Sequence, residues 1–370
     1  MRSIRCLTLV SVTLALTVAA LGGPVVAQGG PAGSVDPATP SQAAWVTVRS
    51  PGLASFTPAA ADRGNTTGGV NRVLRTAVGR WQVRFPGIGA GAVPQVVALS
   101  ASPRRCQITG FGRNATKGHA WTNVACFKPA GIPVDTRFTV TTVRKGTSGD
   151  TARFLGLAYA DQPAAVSPYT PAIRRNSMGG TVKVERMGTG SYEVRFGTAL
   201  GDEQSVALAT AVSSALQPRA CQVINWGWSE GSEVETIDVA CQDGSGVAAD
   251  SAFTLHYAVR GGLEGLLRGP NASFWNDTPT SATPWTAPVH YDFSSAYWVS
   301  RIAQLSTGVY RATLKGMPTG GTAIVNAYGE GRVCQLGAIR TSGTPQQVEV
   351  RCFLFDGTTA DVEFELAYTH

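Results

Sequence analysis

Cys221-Gln222-Val223-Ile224-Asn225-Trp226-Gly227-Trp228-Ser229-Glu230-Gly231-Ser232-Glu233-Val234-Glu235-Thr236-Ile237-Asp238-Val239-Ala240-Cys241 is the stretch whose reading decides the fold. It opens Cys-Gln and closes Val-x-Cys, and both signatures recur at Cys106 to Cys126 and at Cys334 to Cys352. The opening cysteines lie 115 and 113 residues apart, so the chain repeats with a period of about 114. On the closing arm Thr122/Val124/Cys126, Ile237/Val239/Cys241 and Val348/Val350/Cys352 alternate onto one face, as a half-buried strand requires.

Working outward, further stations line up. Trp81-x-Val83-x-Phe85, Tyr192-x-Val194-x-Phe196 and Tyr310-x-Ala312-x-Leu314 each follow a glycine and alternate with polar residues. Each copy carries an apolar strand before its cysteine hairpin: Gln95–Leu99, Ser205–Ala209 and Ala323–Ala327. After the hairpin come a turn glycine (Gly131, Gly244 or Gly357), an aspartate (Asp135, Asp250 or Asp361) and a last strand beginning at Phe138, Phe253 or Phe364. Two copies share an Asn-x-x-Gly-Gly turn at Asn65 and Asn176; the third has Phe293-Ser294-Ser295-Ala296-Tyr297 instead. No segment sustains a helical apolar period. The expectation is an all-β chain of three tandem repeats, each a β-sandwich-like unit with a disulfide-closed hairpin. The repeats span 45–148, 149–262 and 263–370, read as beads on a string, with packing about a pseudo-threefold axis as the alternative.

The beginning of the chain points to export. Arg2 and Arg5 precede an apolar run to Leu21 and a small-residue end at Val25-Val26-Ala27, which reads as a signal peptide over residues 1–27. Residues 28–44, rich in Gly, Pro and Ala, read as a flexible linker. No other stretch is apolar enough to span a bilayer, so the mature chain is expected to be secreted with no transmembrane segment. Six cysteines remain, two per repeat. The threefold repetition favours Cys106–Cys126, Cys221–Cys241 and Cys334–Cys352 among the possible pairings. No histidine recurs near them, which argues against a metal site.

The net charge of +7 is unevenly spread: residues 28–150 carry +10 (14 basic, 4 acidic), while 151–265 carry −4 and 266–370 carry −1. The basic residues form no block and have no aromatics interleaved, so nucleic acid is not an expected partner. The station pattern resembles tandem disulfide-containing β repeats of secreted bacterial proteins, a family of unassigned function. That resemblance covers residues 45–370 and implies compartment and repetition only.

Sites are sparser. Gly227-Trp228-Ser229-Glu230-Gly231 matches the nucleophile-elbow pattern, with His256 and Asp250 downstream. That chemistry needs a strand–turn–helix, whereas here a strand follows, so no catalytic residue is assigned. Asp135, Asp250 and Asp361 read as turn-holding acceptors rather than calcium ligands, because calcium takes six to eight oxygens. Glu230, Glu233 and Glu235 read as a solvated acidic face. Phe111, Trp226 and Ile339, each five residues after a first cysteine, read as core. Trp121 and Trp228 fall where the other copies are polar, and are the candidate ligand-binding residues, for a glycan or cell-envelope component. The alternative for both is packing against a neighbouring repeat. The expected function is that of a secreted, non-enzymatic binding or surface-structural protein without a cofactor. The alternatives are an extracellular hydrolase acting on a polysaccharide or ester, and a purely structural envelope spacer. The sequence leaves the oligomeric state open.

Overall fold

A computed structural model describes residues 41–144, 153–199, 201, 203–229, 233–262 and 269–370. The expected signal peptide, residues 28–40 of the linker, and residues 145–152 and 263–268 between the repeats lie outside these residues. The fold is all-β, with 57% strand and, among the described residues, only three short 3-10 turns in place of helices.

One pairing order recurs along the chain. In the first unit a sheet runs Arg63–Asn65, Gln42–Val48, Arg137–Arg144, Val93–Leu99. Opposite it runs Ser55–Phe56, Arg72–Ala77, Arg80–Pro86, His119–Phe127, Arg105–Asn114. The second unit orders Arg174–Asn176, Phe154–Ala160, Ala252–Val259, Ser205–Val212 against Val182–Gly188, Ser191–Gly197, Val234–Asp243, Arg219–Ser229. The third orders Asp292–Ser294, Asn271–Asn276, Phe364–Thr369, Thr322–Ala327 against Trp285–Thr286, Arg301–Ser306, Val309–Leu314, Gln346–Leu354, Arg332–Ile339. Each disulfide joins directly opposed residues of a hairpin, with Cα atoms 4.1 Å apart.

The beads-on-a-string reading is overturned. The last strand of each first sheet continues, by a parallel bridge, into the cysteine hairpin of another unit: Leu99 pairs Leu336, Val212 pairs Ile108 and Tyr328 pairs Val223. Three equivalent hydrogen bonds lock these seams. Ser100 N donates to Leu336 O at 2.8 Å, Ser213 N to Ile108 O at 3.0 Å and Gly329 N to Val223 O at 3.1 Å. The first unit thus joins the third, the third the second, and the second the first. The ring closes around a pseudo-threefold axis.

The physical cause lies in the strands Val93–Leu99 and Ser205–Val212, buried along their whole length, and Thr322–Ala327, buried but for one residue. Arg80–Pro86, by contrast, alternates buried and half-buried positions. A strand apolar on one side needs one partner sheet; these are covered on both sides, one facing their own sandwich and the other the axis. The largest apolar cluster accordingly mixes Val93 and Leu99, Leu155 and Leu208, and Ile324 and Leu336 from all three units.

Polar side chains thread the seams in the same cyclic sense. Thr139 Oγ donates to Ala323 O and Thr254 Oγ to Pro94 O, both at 2.7 Å, while the equivalent Glu365 accepts from Ala207 N at 2.9 Å. The glutamine of each Cys-Gln pair faces the loop of its neighbour. Gln107 donates to Ser213 O, Ser214 O and Gln217 O and accepts from Arg219 N; Gln335 donates to Ser100 O and Ser102 O and accepts from Arg104 N. Gln222 is the exception: it is buried, yet neither its oxygen nor its nitrogen has a partner among the described residues. The loop it faces, Tyr328 to Arg332, is shorter than those from Leu99 to Arg104 and from Val212 to Arg219, and it lacks their proline. An aromatic cluster holds this seam instead. Trp226 meets Tyr328, Trp275 and Tyr291 edge-on at centroid distances of 5.0, 5.3 and 5.8 Å.

Candidate functional site

The third unit departs from the others at one surface turn. In the first two units the turns close through Gly68 N to Asn65 O and Gly179 N to Asn176 O, and in the third through Tyr297 N to Ser294 O, at 3.0, 3.1 and 2.9 Å. The backbone is the same at all three positions, with φ of 77°, 82° and 58°. Glycine adopts that left-handed conformation freely, whereas an L side chain there costs about 1 kcal/mol or more. Tyr297 occupies it with its side chain 95% exposed, so the ring recovers nothing by burial.

Next to it, Trp298 stands where the other units carry Gly69 and Gly180, whose backbones pass too close to Pro86 O and Gly197 O for a side chain. In the third unit Gly316 makes the room: a Cβ there would run into Ala296 and Trp298. Trp298 remains half exposed, and the Lys315 ammonium sits 3.4 Å from its ring centroid. Such a cation–π contact fixes the indole plane and places a hydrogen-bond donor beside it. Val299, also exposed, extends the patch. Tyr297, Trp298, Val299 and Lys315 therefore form an aromatic platform with one cation, centred on the turn that leads from Asp292–Ser294 in one sheet to Arg301–Ser306 in the other. Replacing Tyr297 by glycine is expected to stabilise the fold by about 1 kcal/mol, read as a higher urea midpoint with an unchanged slope.

The residues singled out in the sequence sit elsewhere. Trp121 is half-buried on the outer face of the first unit's hairpin sheet, where its ring lies across Gly110 and Gly112. Trp228 is not a protruding tip. It pairs with Glu235 across the hairpin and packs against the second unit's core. Glu235 shares that inward face with Phe196 and is fully buried, so the solvated acidic face is corrected to Glu233 alone among the described residues; Glu230 lies outside them. Phe111, Trp226 and Ile339 are buried as expected.

Ser229 ends a strand, paired with Val234. His256 is buried in the seam between the first two units, with Nε2 2.9 Å from Val93 O. Burial lowers its pKa to about 4, against the pull of that carbonyl. The three aspartates clip hairpin turns. Asp135 accepts from the Arg75 guanidinium and Gly79 N, Asp250 from Arg186, Gly190 N and Tyr192 Oη, and Asp361 from Gln304, Gly308 N and Tyr310 Oη. Burial pushes the Asp135 and Asp250 carboxyls up, but the arginine and glycine hydrogen bonds outweigh it and hold both below the ordinary range. The turn glycine equivalent to Gly131 and Gly357 is Gly246, not Gly244, since all three close the same turn, to Lys128 O, Leu354 O and Asp243 O. No group of three or more His, Cys, Asp or Glu that could hold a metal occurs among the described residues. No helix among them is long and apolar enough to cross a membrane.

Compared with known proteins, the chain matches no family model, no curated protein and no solved structure.

Proposed function

We propose that the protein is a secreted, non-enzymatic binding protein whose recognition element is the Tyr297–Val299 turn of the third unit. The observation that carries this reading is Tyr297 itself: an exposed aromatic in a left-handed backbone position where both equivalent turns have glycine. A residue that costs stability and covers no core marks a surface kept for contact rather than for folding. The chemistry of the patch suits a glycan. Phenol and indole faces stack on the C–H faces of sugar rings, and the Lys315 ammonium can donate to ring hydroxyls. Three disulfides support an extracellular setting, where thiols are oxidised, and a cell-envelope polysaccharide is the class of partner such a secreted protein meets.

The test is co-sedimentation of the full chain with insoluble envelope polysaccharide, comparing the parent with Tyr297→Gly and Trp298→Ala. Retention of the parent with at least tenfold weaker binding by both variants is expected. Equal retention of all three, or none of the parent, defeats the reading.

A further inference from the structure

A cavity of about 50 Å³ lies where the three units meet. Its wall repeats with the axis: Val96–Ala98, Ala209–Ala211 and Val325–Ala327 come from the inner strands, and one end of each disulfide hairpin completes it. Three arginines line it, Arg104, Arg105 and Arg219, and no carboxylate does. The volume suits a few waters or one small ion.

Two of the lining side chains are buried and short of partners. Arg105 is 9% exposed and belongs to all three units at once. It extends from the first, donates Nη2 to Gly244 O of the second at 2.7 Å, and stacks 4.8 Å from the Phe355 ring of the third. Its Nη1 is buried with no hydrogen-bond partner among the described residues. The acid that acts on it, Asp243, is committed to its own turn, accepting from Ser245 N, Ser245 Oγ and Val247 N. Gln222, 2% exposed, presents an amide that its seam leaves unused on both atoms. A buried guanidinium whose one acidic neighbour is engaged in its own turn keeps an unused donor, at a cost to which an unpaired buried amide adds. One ligand type answers both: an anion with several acceptor oxygens, which arginine recognises bidentately.

We propose that the axial cavity binds one small oxyanion, inorganic phosphate or sulfate or a carboxylate group, through Arg105, Arg104, Arg219 and the Gln222 amide. The ligand would touch all three units and so act as a keystone of the ring. It binds only the assembled form, and therefore shifts the folding equilibrium by mass action.

The experiment is thermal melting of the full chain in increasing inorganic phosphate, against sodium chloride at matched ionic strength, followed by calorimetric titration. A saturable rise of about 3–5 °C at hundredfold excess over the dissociation constant is expected, with no such rise in chloride. Arg104→Gln with Arg219→Gln changes half-exposed positions; it should melt as the parent does in chloride and lose the phosphate shift. Repeating the titration with sulfate and with acetate separates tetrahedral oxyanions from carboxylates. No saturable shift with any of the three, or an undiminished shift in the double variant, overturns the proposal and leaves a cavity holding water.

Discussion

Gln107→Leu and Gln335→Leu are each expected to destabilise the fold by about 3 kcal/mol, while Gln222→Leu leaves stability unchanged or raises it in phosphate-free buffer. In the first two cases the amide satisfies two or three carbonyls and one backbone N–H of a neighbouring unit. Leucine removes the partner of groups that face a buried side chain, and each stranded group costs about 1–3 kcal/mol. Gln222 makes none of these bonds, so leucine exchanges an unpartnered buried amide for an apolar group of similar volume. Denaturant midpoints of the three variants decide the matter. Three equal losses would mean that the glutamines act inside their own hairpins rather than across the seams.

The second large effect is acid sensitivity centred on His256. Its imidazole is neutral in the folded seam and titrates near 4, while the unfolded chain titrates near the usual 6.5. Protons therefore bind the unfolded chain first. The stabilisation is complete above pH 6.5 and is lost as pH falls toward 4, amounting to about 3 kcal/mol over the window. Glu365 acts oppositely. Burial raises its carboxyl well above the ordinary range, so its protonated form favours the fold and stability declines as pH rises above the usual carboxylate value. Melting temperatures between pH 4 and 8 should show His256→Gln flattening the acid side and Glu365→Gln raising stability at neutral pH. Parallel curves for parent and His256→Gln would remove His256 from this role.

What the sequence revealed and what it hid follow from locality. The disulfides and the aspartate clips are contacts within one unit, so threefold recurrence exposed them. The Cys-Gln signature was equally visible, but its purpose was not, because Gln107 and Gln335 act on loops more than a hundred residues away in another unit. The apolar runs Val96–Leu99 and Val206–Ala209, which lack the polar alternation of a half-buried strand, were the available sign that both faces are covered.

Trp228 was misplaced for a precise geometric reason. Each cysteine hairpin has a register shift, between Ile108 and Gly110, Val223 and Asn225, and Leu336 and Ala338. One extra residue reverses the alternation, so Cys221 and Val223 point inward and so, beyond the bulge, do Trp226 and Trp228. Trp121 lies on the opposite arm, where alternation from Thr122, Val124 and Cys126 sends it outward over two glycines. Tyr297 was within reach: the third copy lacks the Gly-Gly pair, and an aromatic at a glycine position is the signal. Its exposure, however, depends on how this link between the two sheets of the third unit sits on the sandwich.

The closed ring of units is tested most directly by differential scanning calorimetry of the full chain. Units locked through three seams and one shared core unfold together, giving a single transition with a calorimetric to van't Hoff enthalpy ratio of about one. Three independently melting units, with a ratio of about three or resolved transitions, would contradict it.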